Sequence, residues 1–270
     1  MKKSKIGLMF MAGILSMSML TACSGGELVP SGENSVTGAV EEADTLTVMT
    51  YNVKNCDLGE QIDAVAEDIL AEGPQVVCVQ EIDKGVNRSG DRDVLRELAA
   101  AVGMNYYFYP AINLQGGSYG VGILSIYPLE SCQMVPLEVR RGDEGRVLAS
   151  AVINVNGKQI KIYNTHLSYE DADQRQKQWE FIQQTLSGEQ MPYILMGDFN
   201  ISSIDEFSIL TGVTSVNNAA TPYDTFVGGN EGGIRTIDNI FVSDNLTLLT
   251  GGLADTSVSD HRPLTAEIQL

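Results

Sequence analysis

The stretch from Leu46 to Val79 most constrains what this chain can fold into. Leu46-Thr47-Val48-Met49-Thr50-Tyr51 alternates as a half-buried strand does, and Ile62, Val65, Ala66, Ile69 and Leu70 then recur at helical spacing until Gly73-Pro74 stops the helix. Val76 to Val79 follows as a short unbroken apolar run, the pattern of a strand covered on both faces. Strand, helix, buried strand is the order of a crossover unit. Further on, Val147 to Val155 and Gln159 to Thr165 flank Asn156-Gly157, a strong hairpin signal, so crossovers and hairpins are mixed. A second helix is expected at Val94, Leu95, Leu98 and Val102, closed by Gly103, and a third from about Asp173 to Leu186, where Trp179 is expected to pack rather than act. Short strands are expected at Tyr106 to Phe108, Gly122 to Ile126, Tyr193 to Met196, Ile237 to Val242 and Leu264 to Ile268. No repeat or linker interrupts Thr45 to Leu270. The expectation is one α/β domain of two packed sheets with helices outside.

Ahead of that domain, Lys2, Lys3 and Lys5 precede an apolar run from Ile6 to Leu20, the layout of a secretory signal. The run ends Leu20-Thr21-Ala22-Cys23, which resembles the lipobox of bacterial lipoproteins and implies lipidation of Cys23. Residues 1–22 are thus expected to be a signal peptide, 23–44 a flexible tether rich in Gly, Ser and Glu, and 45–270 the folded domain. The implied location is the cell surface or envelope, with the membrane met through the lipid anchor. The whole chain carries a formal charge of -18; without the three leading lysines, 14 basic residues face 35 acidic ones, or -21. Such a surface disfavours a stable complex with nucleic acid, whose affinity comes mostly from Lys and Arg. Beyond Cys23, Cys56, Cys78 and Cys132 are odd in number and without CxxC spacing, so neither a zinc site nor a disulfide scaffold is indicated, and Cys78 reads as a small core residue.

Six segments put short polar residues at the ends of apolar runs: Thr50-Tyr51-Asn52, Gln80-Glu81, Asn164-Thr165-His166, Gly197-Asp198-Phe199-Asn200, Ile237-Asp238-Asn239 and Ser259-Asp260-His261. A carboxylate after a strand is usually a turn residue or a cap. The chain has two histidines, however, and both fall in these segments. In that order and at those separations the set resembles the endonuclease/exonuclease/phosphatase superfamily, over essentially all of Thr45 to Leu270. The resemblance implies a four-layered α/β sandwich, two packed mixed β-sheets flanked by helices as in deoxyribonucleases, with the active site at strand ends on one rim. Arg88-Ser89-Gly90, Gly116-Gly117-Ser118-Tyr119-Gly120 and Leu124-Ser125 further resemble its secreted metal-dependent hydrolase branch, which often has Asn-Ala where this chain has Val121-Gly122.

The resemblance implies a divalent-metal-dependent hydrolase of phosphate esters using Mg2+ or Mn2+, held by Glu81 with Asn52 and Asp260. His261 is expected as general base, Asp238 as the carboxylate orienting one of the two imidazoles, and Asp198 as the group that orients the attacking water or binds a second metal. Asn200 and His166 would donate to the developing oxyanion, or His166 would protonate the leaving group. Arg88, Tyr119 and Arg146 are candidate substrate contacts. A monomer acting on a small or head-group phosphate ester is expected. The alternatives are a secreted metal-dependent nuclease and a catalytically inactive binding lipoprotein.

Overall fold

The computed structural model describes residues 45–228 and 233–270, so the predicted signal peptide, Cys23 and the tether lie outside the described residues. The first strands are β1 (Thr45–Asn52), β2 (Val76–Lys84), β3 (Asn105–Leu114) and β4 (Gly117–Ser125). Then come β5 (Glu130–Leu137), β6 (Arg146–Val155), β7 (Lys158–His166), β8 (Tyr193–Asp198), β9 (Val213–Ser215) and β10 (Asp238–Ser243). The chain ends with β11 (Thr247–Leu253) and β12 (Leu264–Gln269). One six-stranded sheet runs β11-β12-β1-β2-β4-β3 and the other β5-β6-β7-β8-β10-β9. Among the described residues, all strand pairings are antiparallel except β1 with β2 and β7 with β8.

Each parallel pair needs a crossover, and a helix supplies it. α1 (Asn55–Leu58) and α2 (Ile62–Glu72) connect β1 to β2, α3 (Val94–Val102) follows β2, and α4 (Ala172–Ser187) connects β7 to β8. Gly73 and Gly103 end α2 and α3 at φ of 62° and 69°, where a side chain would be strained. Asp171 caps α4 by accepting from the Gln174 N–H.

Burial follows the pleat. Leu46, Val48, Val76, Cys78, Ile162, Ile194, Met196 and Ile240 fill the space between the sheets. Met49, Tyr51, Val77 and Val79 face the other way and pack under α2 and α3. On the opposite outer face, Trp179 of α4 stacks on Phe199 with ring centroids 4.8 Å apart, beside Phe207 and Phe241. Strands covered on both sides explain why Val76 to Val79 reads as an unbroken run. The four-layered sandwich anticipated from the sequence is the fold observed. At the hairpin, Asn156 and Gly157 have φ of 50° and 89°, the mirror-image turn that suits strand twist.

α1 is unusual. Lys54 to Leu58 all have positive φ, between 46° and 58°, so this turn winds left-handed without a glycine until Gly59. Such a conformation costs an L-residue roughly 1–2 kcal/mol. A clamp opposes that cost: Asn55 Nδ2 donates to Asp83 Oδ2 at 2.7 Å, and the Asp83 N–H returns a bond to Asn55 Oδ1 at 3.0 Å.

Candidate active site

The carboxyl ends of β1, β2, β7 and β8 meet at one rim, together with the start of β10 and the loop before β12. Pairing brings the first four together two by two, one pair in each sheet: Asn52 stands beside Gln80, and His166 beside Asp198. Close approach there requires the glycine of Gly-Asp-Phe-Asn, because a Cβ on Gly197 would lie 2.2 Å from the Thr165 carbonyl oxygen.

A buried amide clasp ties the sheets beneath the rim. Asn164 Nδ2 donates to the carbonyls of Val79 and Gly122 at 3.0 and 2.7 Å, and Gln80 Nε2 donates to Asn164 Oδ1 at 2.8 Å. Just above it, β2 bulges between Val79 and Ile82, and Glu81 adopts a φ of 60°. Asn52 Nδ2 then donates to Glu81 Oε1 and to Asp198 Oδ2, each at 3.0 Å. One amide therefore holds a carboxylate from each sheet. The Asn52 side-chain oxygen accepts from the Lys54 N–H.

Ser259 anchors the last motif. Its hydroxyl donates to the Asn52 carbonyl at 2.7 Å and accepts from the His261 N–H at 3.2 Å. His261 Nδ1 lies 2.9 Å from Asp238 Oδ2, so Asp238 partners this imidazole and not His166. Nε2 of His261 and Nε2 of His166 approach the same oxygen, Asp198 Oδ2, at 3.6 and 3.4 Å. Both histidines, both aspartates and Asn52 are buried.

The electrostatics separate the two imidazoles. Burial opposes charge on His261, but Asp238, Asp198 and Asp260 outweigh it and raise its pKa to about 10. Burial, with Arg146 and His261 nearby, holds His166 well below the ordinary range. Burial and the Asp238 charge push Asp198 up to about 7, against the pull of His261 and its hydrogen bonds.

The site faces a cavity of about 550 Å³ lined by Glu81, Arg88, Tyr119, Arg146, Asn200 and Asp260 as well as both histidines. Asn200, at φ 48°, donates its N–H to Asp198 Oδ1 and its side-chain amide to the Leu167 carbonyl. Asp260 pairs with Lys54 at 3.3 Å. Arg88 grips buried Asp83 through two bonds of 2.8 Å and lies over the Tyr119 ring. Arg146 is paired with Glu144. Val121 is buried between the sheets and offers no polar group.

The candidate metal, catalytic and substrate residues from Asn52 to His261 thus gather at this rim. Others at the cavity carry no sequence signal of their own: Lys54, Glu144, Tyr169, and Phe226, whose ring packs on His261 at 4.9 Å. The ligand atoms of Asp198, Asp238 and His261 lie within 4.8 Å of one another, a spacing compatible with a metal. Here, however, the His261–Asp238 contact engages two of them. Glu81, partly open to solvent, is the carboxylate better placed to take a cation.

Solved structures share this architecture. A conserved protein of Enterococcus faecalis V583 superposes with a TM-score of 0.68 at 20% identity, over 83% of this chain and 99% of that one. A mannosyl-6-phosphatase of Bacteroides thetaiotaomicron gives 0.67 at 17%, over 83% and 100%. The human Nocturnin catalytic domain with bound sulfate gives 0.63 at 21%, over 83% and 93%. At such identities the likeness concerns the fold. A search of curated proteins finds no match. The model of the endonuclease/exonuclease/phosphatase family matches residues 49–261, which span all the rim segments described above, and the chain belongs to this family of phosphoester hydrolases.

Proposed function

We propose that this protein is a divalent-metal-dependent phosphohydrolase that cleaves a small phosphodiester or phosphomonoester outside the cytoplasm, tethered to the cell envelope by lipid at Cys23. The observation that carries the reading is the meeting of Glu81, Asp198, His166 and His261 at one cavity, with Asn52 and Asp238 hydrogen-bonded behind them. Oxygen donors on a solvent-open wall suit Mg2+ or Mn2+. Glu81 would hold the ion, with Asp260 on the same cavity; Asn52, expected as a ligand, turns its amide nitrogen to Glu81 and would act by holding that carboxylate, and when bound such an ion neutralises charge on a phosphoryl oxygen. The fit rests on Glu81, which a bulge and a positive φ bring to the cavity wall, where Asn52 holds one carboxylate oxygen.

The side chains divide the remaining work. His261 is held at Nδ1 by Asp238 and flanked by further carboxylates, which favour its charged form and suit it to donate a proton more than to accept one from an attacking water. That reading moves the general-base role expected of His261 to Asp198, whose pKa of about 7 suits it. His261 then donates to oxyanion charge as it develops, and His166 donates through Nε2.

Lys54, Arg88 and Arg146 at the cavity are each paired with a carboxylate, so they form no basic track for a duplex. Likeness to a mannosyl-6-phosphatase and to a sulfate-bound catalytic domain supports a small oxyanion ester. The test is turnover by residues 24–270 of bis(p-nitrophenyl) phosphate, p-nitrophenyl phosphate and plasmid DNA, with Mg2+ or Mn2+ and with chelator. Metal-dependent hydrolysis of the small esters, lost in Glu81→Gln, is expected. Absence of any metal-dependent turnover would favour a binding lipoprotein, and plasmid cleavage as fast as the small diester would favour a nuclease.

A further inference from the structure

Arg146, at the start of β6, is 3% exposed. Its Nη1 donates to Glu144 Oε1 at 2.5 Å and also lies 3.3 Å from His166 Nδ1. A guanidinium offers donors only and stays charged. The contact is therefore a hydrogen bond only when Nδ1 of His166 carries a lone pair, which leaves the ring proton of a neutral imidazole on Nε2. Nε2 is the nitrogen directed to Asp198 at the cavity.

We propose that Arg146 is a positioning residue that fixes His166 as the Nε2–H tautomer, so that His166 is a standing hydrogen-bond donor to the phosphoryl group and not a proton carrier. This rests on the hydrolase reading for its catalytic meaning, while the tautomer itself does not. The two imidazoles of the site thus meet opposite partners at the same ring atom: His261 Nδ1 faces the Asp238 carboxylate, and His166 Nδ1 faces a cation. Burial and the neighbouring positive groups keep His166 from taking a second proton. A neutral imidazole that surrendered its one N–H would become an anion, so His166 does not protonate the leaving oxygen. Glu144, whose N–H is held by Glu170 Oε1, balances the Arg146 charge and keeps its Nη1 turned to the ring. Arg146 acts on the phosphate through His166 and not as the direct substrate contact expected from sequence.

The chain has two histidines, so the full chain labelled with 15N-histidine gives two ring systems in a long-range 1H–15N correlation, and His166→Gln identifies them. At pH 7.5 the expected wild-type result is a neutral His166 with its proton on Nε2. In Arg146→Met the other tautomer or the imidazolium should appear, and kcat on the small ester should fall roughly 100-fold, as for loss of one oxyanion donor, with KM little moved. Arg146→Lys, which keeps a donor and a charge, should recover part of both readouts. A wild-type His166 that is protonated on Nδ1 would overturn the proposal whether or not Arg146→Met folds. So would an unchanged tautomer in Arg146→Met with KM raised, the mark of a plain phosphate contact. An Nε2–H tautomer in a protein that turns over no phosphate ester would sink the hydrolase reading and leave the tautomer assignment supported.

Discussion

Replacing Asn164 by leucine, nearly the same in shape, tests whether the two sheets are pinned beneath the site. Asn164 is fully buried and makes three hydrogen bonds: two given to the Val79 and Gly122 carbonyls and one accepted from Gln80. At about 1 kcal/mol net for each bond, with buried partners left bare, Asn164→Leu should cost roughly 3 kcal/mol. In a domain of this size that is a fall in Tm of roughly 6–12 °C. The assay is urea and thermal unfolding, followed by the same measurement on Gln80→Leu and on the double variant. Because the double variant removes both ends of one bond, its cost should be less than the sum of the singles by about 1 kcal/mol. Turnover should fall as well, since the clasp ends one residue before Glu81. A loss below about 1 kcal/mol with an unchanged urea slope, or strict additivity, would refute the reasoning.

Asp238→Asn, which removes the carboxylate behind His261, should lower kcat by roughly 100-fold or more with KM changed only severalfold, measured on the small ester. Glu189 is disfavoured as an anion by its burial, yet Lys161, Tyr163 and two backbone N–H groups lower its pKa to about 2. A depressed carboxylate contributes stability above its unfolded pKa and loses it as pH falls. Glu189→Gln should therefore cost about 1–3 kcal/mol at pH 6, and the gap from wild type should close between about pH 4.5 and 2 in urea unfolding. Leu58 is exposed in the left-handed turn, so Leu58→Gly relieves strain of roughly 1–2 kcal/mol against an unfolded-state cost of roughly 0.5–1 kcal/mol. A rise in unfolding free energy of about 0.5 kcal/mol is expected, and a fall greater than 1 kcal/mol would count against that backbone.

Central strands were legible because both of their faces are buried and their last residues turn abruptly polar, as at Val79-Gln80-Glu81. Edge strands carry no such contrast. β5 is mostly exposed and contains Pro136, and β11 contains Gly251 and Gly252, so neither shows a two-residue rhythm. The turn from Lys54 to Leu58 was invisible because no glycine marks its left-handed backbone. Motif order revealed which residues share the rim, but their partners depend on how two sheets pack. Nothing in the sequence near Asp238 or His166 says that the first faces His261 and the second an arginine. Phe226 and Tyr169 look like ordinary loop aromatics until the packing places them at the cavity.

The strands of the second sheet, β5 to β10, come from one uninterrupted stretch, whereas the first sheet is begun by β1 to β4 and finished by β11 and β12. β12 lies inside that first sheet, between β11 and β1. During synthesis, β1 must wait with an open flank until Leu264–Gln269 has been made. The segment that fills it arrives directly behind Asp260 and His261, so the closing of the sheet and the arrival of the last reactive side chain are one event. A product clipped ahead of Leu264 loses an interior strand of its scaffold.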